Sequence, residues 1–276
     1  MTMDELATHN KERWEELAQA GVEYSRPFLN LDANRARQVV DAAGIIQKVI
    51  GDVAGKDVLC LAGGGGQQSA AFAVLGAHVS VLDISETQLQ RDQAAAQHYG
   101  VAITTQQGDM RDLARFADDS FDIVWHAHSI NFVPDTRPVF DGVARVLRKG
   151  GLYHLSFHNP FTQGVDDAKW NGIGYPLGQP YVDGTEIILD QVFENPDWTI
   201  ADTEGNVRQI KGPREFRHSL GRILNGLIER GFVLLQFAEE TSREPNPEPG
   251  SWEHYKLVVA PYLSLWAIRR PDVFAQ

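Results

Sequence analysis

The sequence predicts an α/β protein with a doubly wound, mainly parallel sheet. Short apolar runs typical of strands buried on both faces occur at 58–61, 79–82, 102–106, 121–125 and 152–157. Helical patterns separate these runs, and such alternation forms parallel sheets with right-handed crossovers. The first run leads directly into the glycine-rich turn at 62–66, as expected where a strand joins a helix beside a ligand.

Composition narrows the functional classes. The chain has 276 residues, 43% of them hydrophobic, which is enough for one well-buried domain with a sizeable appendage. Cys60 is the single cysteine, which excludes a disulfide framework and suits a reducing compartment. No signal core or membrane-length apolar stretch is present, and a net charge of −12 without a basic patch disfavours nucleic acid. We therefore expect a cytoplasmic protein without a membrane or nucleic-acid partner, in an oligomeric state that the sequence leaves open.

The patterns divide the chain into four segments. Amphipathic helices over 4–20 and about 34–50 predict an N-terminal cover. A Gly-, Pro- and aromatic-rich stretch is too long for a structureless loop and predicts an inserted substrate cap, followed by a helix over 214–230. The cover, core, cap and C-terminal completion of the sheet are expected at 1–50, 51–158, 159–213 and 214–276. The cap's aromatic residues either line a pocket or form its own small core, with Trp170, Tyr175, Tyr181, Phe193 and Trp198 as candidates.

The glycine turn and the acids after it predict a site for an adenosine-containing cofactor. Glycine lets a ligand approach the backbone closely, and the turn ends at a helix N-terminus. Asp83 ends the second strand, where a carboxylate can accept hydrogen bonds from ribose hydroxyls. The dinucleotide fingerprint fits poorly, because its third position falls on Ser69 or Gln68. After the third strand, Asp109 can accept a bond from an adenine amino group, and Met110 can flank the ring.

These motifs resemble those of the class I S-adenosylmethionine-dependent methyltransferases. The resemblance covers roughly 56–158 and, more loosely, 214–270, and its motifs are VLCLAGGGGQQS, VSVLDIS, QGDMRDL, FDIVWHAHSINFVPD and RVLRKGG. It implies a Rossmann-like sheet with an antiparallel last strand, S-adenosyl-L-methionine as cofactor and a small-molecule substrate. The cofactor contacts that it implies are Tyr24, Ala62, Gly63, Gly64, Asp83, Ile84, Asp109, Met110 and His126.

The first motif departs from the family pattern at two positions. Cys60 takes the place of the usual early acid, and Ala62 takes the place of the first alternating glycine. The loss of the acid removes one indirect support for the methionine end of the cofactor. Tyr24 has an alternative interpretation as a surface-packing residue.

Two histidines are candidates for catalytic or substrate-binding roles. A base is needed only where the acceptor must lose a proton, as a phenol or alcohol must. His128 follows the fourth strand at the ligand-binding edge, and His218 opens the predicted late helix, which borders the substrate pocket in the resembling enzymes. The alternative for both is a polar residue hydrogen-bonded within the pocket wall. His126 and His128 could resemble metal ligands, but no third ligand has matching spacing, so we expect no metal site.

The acceptor side is less specific. We expect methyl transfer to oxygen or nitrogen, and less readily to sulfur or carbon, of a small metabolite. Arg214 or Arg217 could bind a substrate carboxylate. A non-catalytic S-adenosylmethionine-binding protein is the first alternative, which the lost acid permits. A nicotinamide-dependent oxidoreductase and a nucleic-acid or protein methyltransferase are the others, disfavoured by the fingerprint and by the acidity.

Overall fold

A computed structural model describes residues 3–192, 197–201 and 206–273, and every structural statement refers to these residues. Its strands are β1 (Asp57–Leu61), β2 (His78–Asp83), β3 (Ile103–Gln107), β4 (Phe121–His126), β5 (Leu147–His158), β6 (Glu186–Ile187), β7 (Trp198–Ala201), β8 (Val207–Ile210), β9 (Glu215–Phe216), β10 (Phe232–Glu240) and β11 (Tyr262–Arg269). Its α-helices are α1 (Glu5–Ala20), α2 (Ala33–Asp41), α3 (Ile45–Val49), α4 (Gln68–Val74), α5 (Glu86–Tyr99), α6 (Arg137–Val146), α7 (Leu189–Val192), α8 (Leu220–Ile228) and α9 (Trp252–Val259).

Seven of the strands form one sheet in the order β10-β11-β5-β4-β1-β2-β3. The pairs from β3 through β5 are parallel, whereas β11 lies antiparallel between β5 and β10. The predicted doubly wound sheet with an antiparallel last strand is therefore confirmed. The strand order reverses between β1 and β4, and ligands bind outside the carboxyl ends of strands at such a switch point.

The sheet is covered by helices on both faces, which explains its wholly apolar strands. In β1, Val58 and Cys60 pack with α2, α4 and α5, whereas Leu59 and Leu61 pack with α6 and α8. Each large apolar side chain that is fully buried contributes about 2 kcal/mol to folding. This core fixes the strand ends that carry the site.

The predicted second helix, over 34–50, is broken into α2 and α3. Gly44 adopts a left-handed conformation with φ of 69°, which is open to glycine and ends the helical path. The Asp41 carboxylate then accepts hydrogen bonds from the backbone N–H groups of Ile46 (2.8 Å) and Gln47 (2.9 Å). These contacts start α3 as a new helix.

The helix predicted over 214–230 begins later, at α8. Glu215 and Phe216 are extended and pair with β6 as strand β9. The Ser219 hydroxyl accepts the N–H of Arg222 at 3.2 Å, and this cap sets the true start of the helix. His218 therefore precedes the helix.

The segment over 159–213 contains short elements, β6 through β8 and α7. Its sequence pattern predicts strands over 185–193 and 198–210. The second range is the β7–β8 hairpin, whereas the described part of the first holds β6 and α7. Side chains of α1 and the residues after it, Leu17 and Val22, pack against Ile200 and Ile210 of that hairpin. The N-terminal helix and this segment therefore pack together. The division of the chain into cover, core, cap and C-terminal completion remains a proposal.

The C-terminal segment differs from expectation in one element. The sequence over 243–252 is polar and Pro-rich, which predicts a loop, and the chain after it forms α9, which the sequence did not predict. The Ser251 hydroxyl accepts the N–H of His254 at 3.2 Å and starts this helix. Among the described residues, no helix combines the length and apolar character needed to cross a membrane.

Candidate cofactor and acceptor site

A cavity of about 400 Å³ opens at the carboxyl edge of the sheet, beside the switch point between β1 and β4. Eight of the nine predicted cofactor contacts line it: Tyr24, Ala62, Gly63, Gly64, Asp83, Ile84, Asp109 and Met110. His128 lines it as well. The structure thus brings together residues from the ends of β1, β2, β3 and β4, as a cofactor site at this edge requires.

Asp83, the predicted ribose-binding acid, ends β2 and lines the cavity. Its Oδ2 atom accepts the N–H of Gly64 at 2.9 Å, and its Oδ1 atom accepts the N–H of Ser85 at 2.9 Å. Each carboxylate oxygen can accept a second hydrogen bond, so both can also receive a ribose hydroxyl. Burial raises the pKa of this carboxyl. A Cβ atom on Gly64 would lie 2.8 Å from the Cβ of Gln88, so glycine is required for this close approach.

Asp92 of α5 is a site residue that the sequence analysis missed. Its carboxylate is fully buried and accepts the N–H groups of Gly65 and Gly66, both at 3.0 Å, and the Ser69 hydroxyl. Burial raises the pKa of Asp92 to about 7, against the hydrogen bonds that lower it. Asp92 therefore holds the backbone of the glycine turn in place. It supports this turn in a protein in which Cys60 replaces the family's early acid.

Asp109 is engaged by Arg111, which also reaches α1. Arg111 Nη2 lies 2.6 Å from Asp109 Oδ2, and Arg111 Nη1 lies 2.8 Å from Asp4 Oδ2. Hydrogen bonds from Arg111 hold the pKa of Asp4 at about 2. The Asp4 carboxylate also caps α1 by accepting the N–H of Ala7 at 2.8 Å. The predicted adenine-binding acid is therefore linked directly to the first turn of the N-terminal helix.

Other polar contacts hold α1 over the cavity. Glu15 Oε2 accepts the hydroxyl of Ser85 at 2.7 Å, and the Thr87 hydroxyl donates to Glu15 Oε1. Asn10 is nearly fully buried; its side chain donates to the Phe132 carbonyl and accepts the N–H of Arg214 at 2.8 Å. Contacts along its length thus hold α1 against the loops that follow the strands, as a cover over a cofactor requires.

Ala62 has a strained backbone. Its φ of 45° lies in the left-handed region, which costs a residue with a Cβ atom about 1–3 kcal/mol. We predict that Ala62→Gly stabilises the protein by about 1 kcal/mol, because glycine removes the strain but has the more flexible unfolded chain. Urea unfolding measures the change. Ala70→Gly in α4 is the control and should be destabilising; no gain at position 62 would contradict the strain argument.

Buried polar atoms in the cavity wall lack partners within the described part of the chain. Gln88 Oε1 and Ser129 Oγ are inaccessible to solvent and accept or donate no hydrogen bond there. These two side chains would have to turn toward the cavity to bond a ligand, whereas the Asp83 carboxylate lines it with spare acceptor capacity. The close approach at Gly64 and the Asp83 carboxylate together fit a bound adenosine-containing cofactor.

His126 and His218 are not brought to the cavity. His126 is the last residue of β4, and its ring is fully buried. The Nδ1 atom of the ring lies 2.8 Å from the Tyr153 hydroxyl, and burial lowers the pKa of His126 to about 3. His218 is also buried, and its Nε2 atom lies 3.2 Å and 2.9 Å from the carbonyl oxygens of Ile130 and Val133. Neither ring contacts the site directly. His218 instead fixes the turn that follows Ser129 in the cavity wall.

The predicted arginine contacts are also elsewhere. Arg214 forms a two-bond ion pair with Glu186, both bonds at 2.7 Å. Arg217 is buried and donates to the backbone carbonyls of Pro180 and Gln163. Neither lines the cavity, so the expectation that one of them binds a substrate carboxylate is not supported by their positions.

Among the cap aromatics, only Trp198 lines the cavity within the described ranges. Trp170 and Tyr175 pack against α9, and Tyr181 stacks on another ring of the same segment. Phe193 lies outside the described residues. Tyr181 therefore packs within the cap, whereas Trp170 and Tyr175 pack the cap against the C-terminal segment.

The cavity wall also holds a cluster of polar side chains, of which the sequence analysis proposed only His128 as a catalytic or substrate-binding residue. His128, His158, Glu215 and Tyr262 line it together. The His128 and His158 rings contact Tyr262, with ring centroids 4.8 Å and 5.0 Å away, and His158 Nδ1 lies 3.7 Å from Glu215 Oε2. Loss of hydration lowers the pKa of each histidine to about 4 and raises that of Glu215 to about 7. No cluster of His, Cys, Asp or Glu in the described chain could hold a metal.

The chain belongs to the S-adenosylmethionine-dependent methyltransferases. Residues 59–155 match the methyltransferase domain family. The chain is 30% identical over 246 residues to the uncharacterized methyltransferase YbaJ of Bacillus subtilis, covering 86% of this chain and 92% of that protein. Its fold is similar to that of an S-adenosylmethionine-dependent methyltransferase from Mesorhizobium loti (TM-score 0.58, 22% identity, 88% and 100% of the two chains).

A further relative shares the core alone. The ubiquinone biosynthesis O-methyltransferase of Pseudomonas syringae pv. tomato is 33% identical over 108 residues, which cover 39% of this chain and 47% of that enzyme. The protein is thus a methyltransferase, and its cofactor is S-adenosyl-L-methionine. This assignment removes the alternatives of a nicotinamide-dependent oxidoreductase and of a non-catalytic binding protein.

Proposed function

We propose that the protein transfers the methyl group of S-adenosylmethionine to oxygen or nitrogen of a small metabolite. The observation that carries this proposal is the single cavity wall shared by the cofactor contacts and by the polar group at His128, His158, Glu215 and Tyr262. The volume of this cavity, about 400 Å³, lies within the usual range for small-molecule sites. The relative named an O-methyltransferase supports oxygen as one acceptor.

Some residues in the cavity wall hold the cofactor, and others enclose or contact the acceptor. Asp83 binds the ribose hydroxyls, Asp109 and Met110 contact the adenine, and the turn at 62–66 accommodates the methionine end. Bound S-adenosylmethionine supplies an electrophilic methyl group on its sulfonium. Tyr24 and the side chains of α1 exclude water, and His128 contacts the acceptor. Most of the acceleration comes from holding the acceptor in line and keeping water out.

The proposal keeps two further expectations and changes the roles of two histidines. No nucleic-acid partner is proposed, because the net charge is −12 and only one cation, Arg111, lies in the described cavity wall. The compartment proposed is the cytoplasm, because the single cysteine, Cys60, is a buried free thiol. We assign His126 and His218 positioning roles in place of ligand contact.

Isothermal titration calorimetry tests the cofactor side of this proposal. We expect micromolar binding of S-adenosylmethionine and S-adenosylhomocysteine and no binding of NAD. With binding established, small phenols, alcohols and amines are screened for release of S-adenosylhomocysteine. A protein that binds both sulfur compounds but methylates none of these classes would contradict the proposed acceptor atoms.

A further inference from the structure

We propose that the acceptor is an amine, which binds as its ammonium ion against Glu215 and passes a proton to that carboxylate before it is methylated. This inference rests on the proposed function and names its substrate class. Glu215 lies in β9, whose backbone pairing with β6 fixes its direction. Its side chain is only 10% exposed, yet it lines the cavity. A buried carboxylate without a charged partner is costly, so Glu215 either takes up a proton or is stabilised by a cation, and the open cavity is where that cation can enter.

The groups around Glu215 do not neutralise it. Gln163 Nε2 lies 3.4 Å from Glu215 Oε2, and His158 Nδ1 lies 3.7 Å away on the other side. His158 is neutral at pH 7, since its pKa is well below that pH. Tyr24 and Tyr262 complete the surroundings: burial raises the pKa of both phenols, and the charge of Glu215 contributes to both rises. All of these neighbours are uncharged at neutral pH.

The charge of the whole cavity wall favours a cation. Four acids line it: Asp83, Asp109, Glu215 and Glu240. Arg111 is the one arginine or lysine in the described wall, and it is already bonded to Asp4 and Asp109. The undescribed residues 193–196 and 202–205 contain neither Lys nor Arg. A carboxylate or phosphate acceptor would therefore meet repulsion, whereas an ammonium ion would be attracted.

An aromatic group forms another part of the cavity wall. Trp14, Tyr24, Phe132 and Trp198 contact one another edge to face, with ring centroids 5.2–6.3 Å apart. All four line the cavity. Aromatic faces attract cations and also pack against the apolar part of an amine. This wall suits an organic ammonium ion better than a strongly hydrated polar acceptor.

The proposed step balances in charge and atoms. The ammonium N–H proton passes to the Glu215 carboxylate, which frees the nitrogen lone pair. That lone pair forms the new N–C bond to the methyl group while the S–C bond breaks. The electron pair of the broken S–C bond stays on sulfur, which becomes a neutral thioether. A carboxyl whose pKa is near 7 takes up this proton more readily than one near 4.

The test compares three probes of matched size on the protein saturated with S-adenosylhomocysteine. Benzylamine, benzyl alcohol and benzoate differ in charge at pH 7 and share one ring. We expect calorimetry to show benzylamine binding about tenfold more tightly than the other two. Glu215→Gln, which keeps the shape and removes the charge, should abolish this preference. Glu240→Gln removes an acid from the same wall and should keep it.

Several outcomes would overturn the inference. These are benzoate or benzyl alcohol binding as tightly as benzylamine, no benzylamine binding at millimolar concentration, and a preference that survives Glu215→Gln or is lost equally in Glu240→Gln. The affinity for S-adenosylhomocysteine shows that each variant is folded. It also separates the two proposals, because a wild-type protein that binds S-adenosylhomocysteine but shows no amine preference contradicts only the amine assignment.

Discussion

Asp92→Ala is expected to lower the free energy of unfolding by about 3 kcal/mol or more. The substitution leaves the N–H groups of Gly65 and Gly66 and the Ser69 hydroxyl without their partner in a region closed to water. Each unsatisfied buried group costs about 1–3 kcal/mol. The glycine turn should also open, so the affinity for S-adenosylmethionine should fall with the stability. Urea unfolding and calorimetry on the same preparation measure the two effects.

A neighbouring acid on the same helix supplies the control. Glu86 is exposed in the first turn of α5, and Glu86→Ala should change stability by about 0.5 kcal/mol or less. An Asp92→Ala variant as stable as the wild type would show that the turn holds its shape without this carboxylate.

The same carboxyl group predicts a pH dependence. Burial raises the pKa of Asp92 to about 7 in the folded protein, while carboxyls of an unfolded chain titrate near 4. The folded state therefore holds more protons between these values, and stability falls as pH rises from about 4 to 7, by at most about 1.4 kcal/mol per pH unit for one group. Glu215 contributes in the same direction. Asp92→Asn should show a shallower dependence in urea unfolding at a series of pH values.

The fold and the cofactor side could be predicted because their signals are local. A strand buried on both faces is wholly apolar, and a turn that a ligand approaches must contain glycine, whatever the rest of the chain does. Asp83 and Asp109 directly follow such strands, so the topology alone brings them to one edge. Seven of the eight predicted contacts that line the cavity lie at the ends of β1, β2 or β3 and are a consequence of this locality, whereas Tyr24 lies after α1 and was implied by the family resemblance.

His126 shows what the strand pattern still contained. Side chains alternate between the faces of a strand, so His126 shares the face of Val124, whose side chain packs in the core with α6 and α8. Asp92 carried a similar signal, because it lies on the same helix face as Gln88, Leu89 and Ala96, where an acid is unusual. Strand alternation therefore argues against His126 as a site residue, and helix spacing argues for Asp92.

Glu215 could not be found in this way. It enters the cavity because β9 pairs with β6, two strands of two residues each, and because the chain then turns into α8 at Ser219. Strands this short leave no periodic pattern, and the helix propensity of the following segment hides the boundary. Its neighbours His158 and Tyr262 come from β5 and β11, so only the tertiary fold assembles this end of the site.

Asp83→Ala is expected to weaken S-adenosylmethionine binding by about 1–3 kcal/mol, the usual cost of losing hydrogen bonds to a charged group. Calorimetry measures the loss. Because Asp83 also accepts the N–H groups of Gly64 and Ser85, part of the loss could arise from a displaced turn. Asp109→Ala is the comparison and should cost less, because the Asp109 carboxylate is already shared with Arg111.

A fragment of the cofactor separates ribose contact from turn geometry. The compound 5′-methylthioadenosine keeps the adenine and ribose and lacks the amino-acid end. If Asp83 binds the ribose, Asp83→Ala should weaken the binding of this fragment and of S-adenosylmethionine by the same factor. If Asp83 only holds the turn at Gly64, the loss should appear for S-adenosylmethionine and be nearly absent for the fragment, because the turn faces the methionine end. A folded variant that binds both with wild-type affinity would rule out both roles for Asp83.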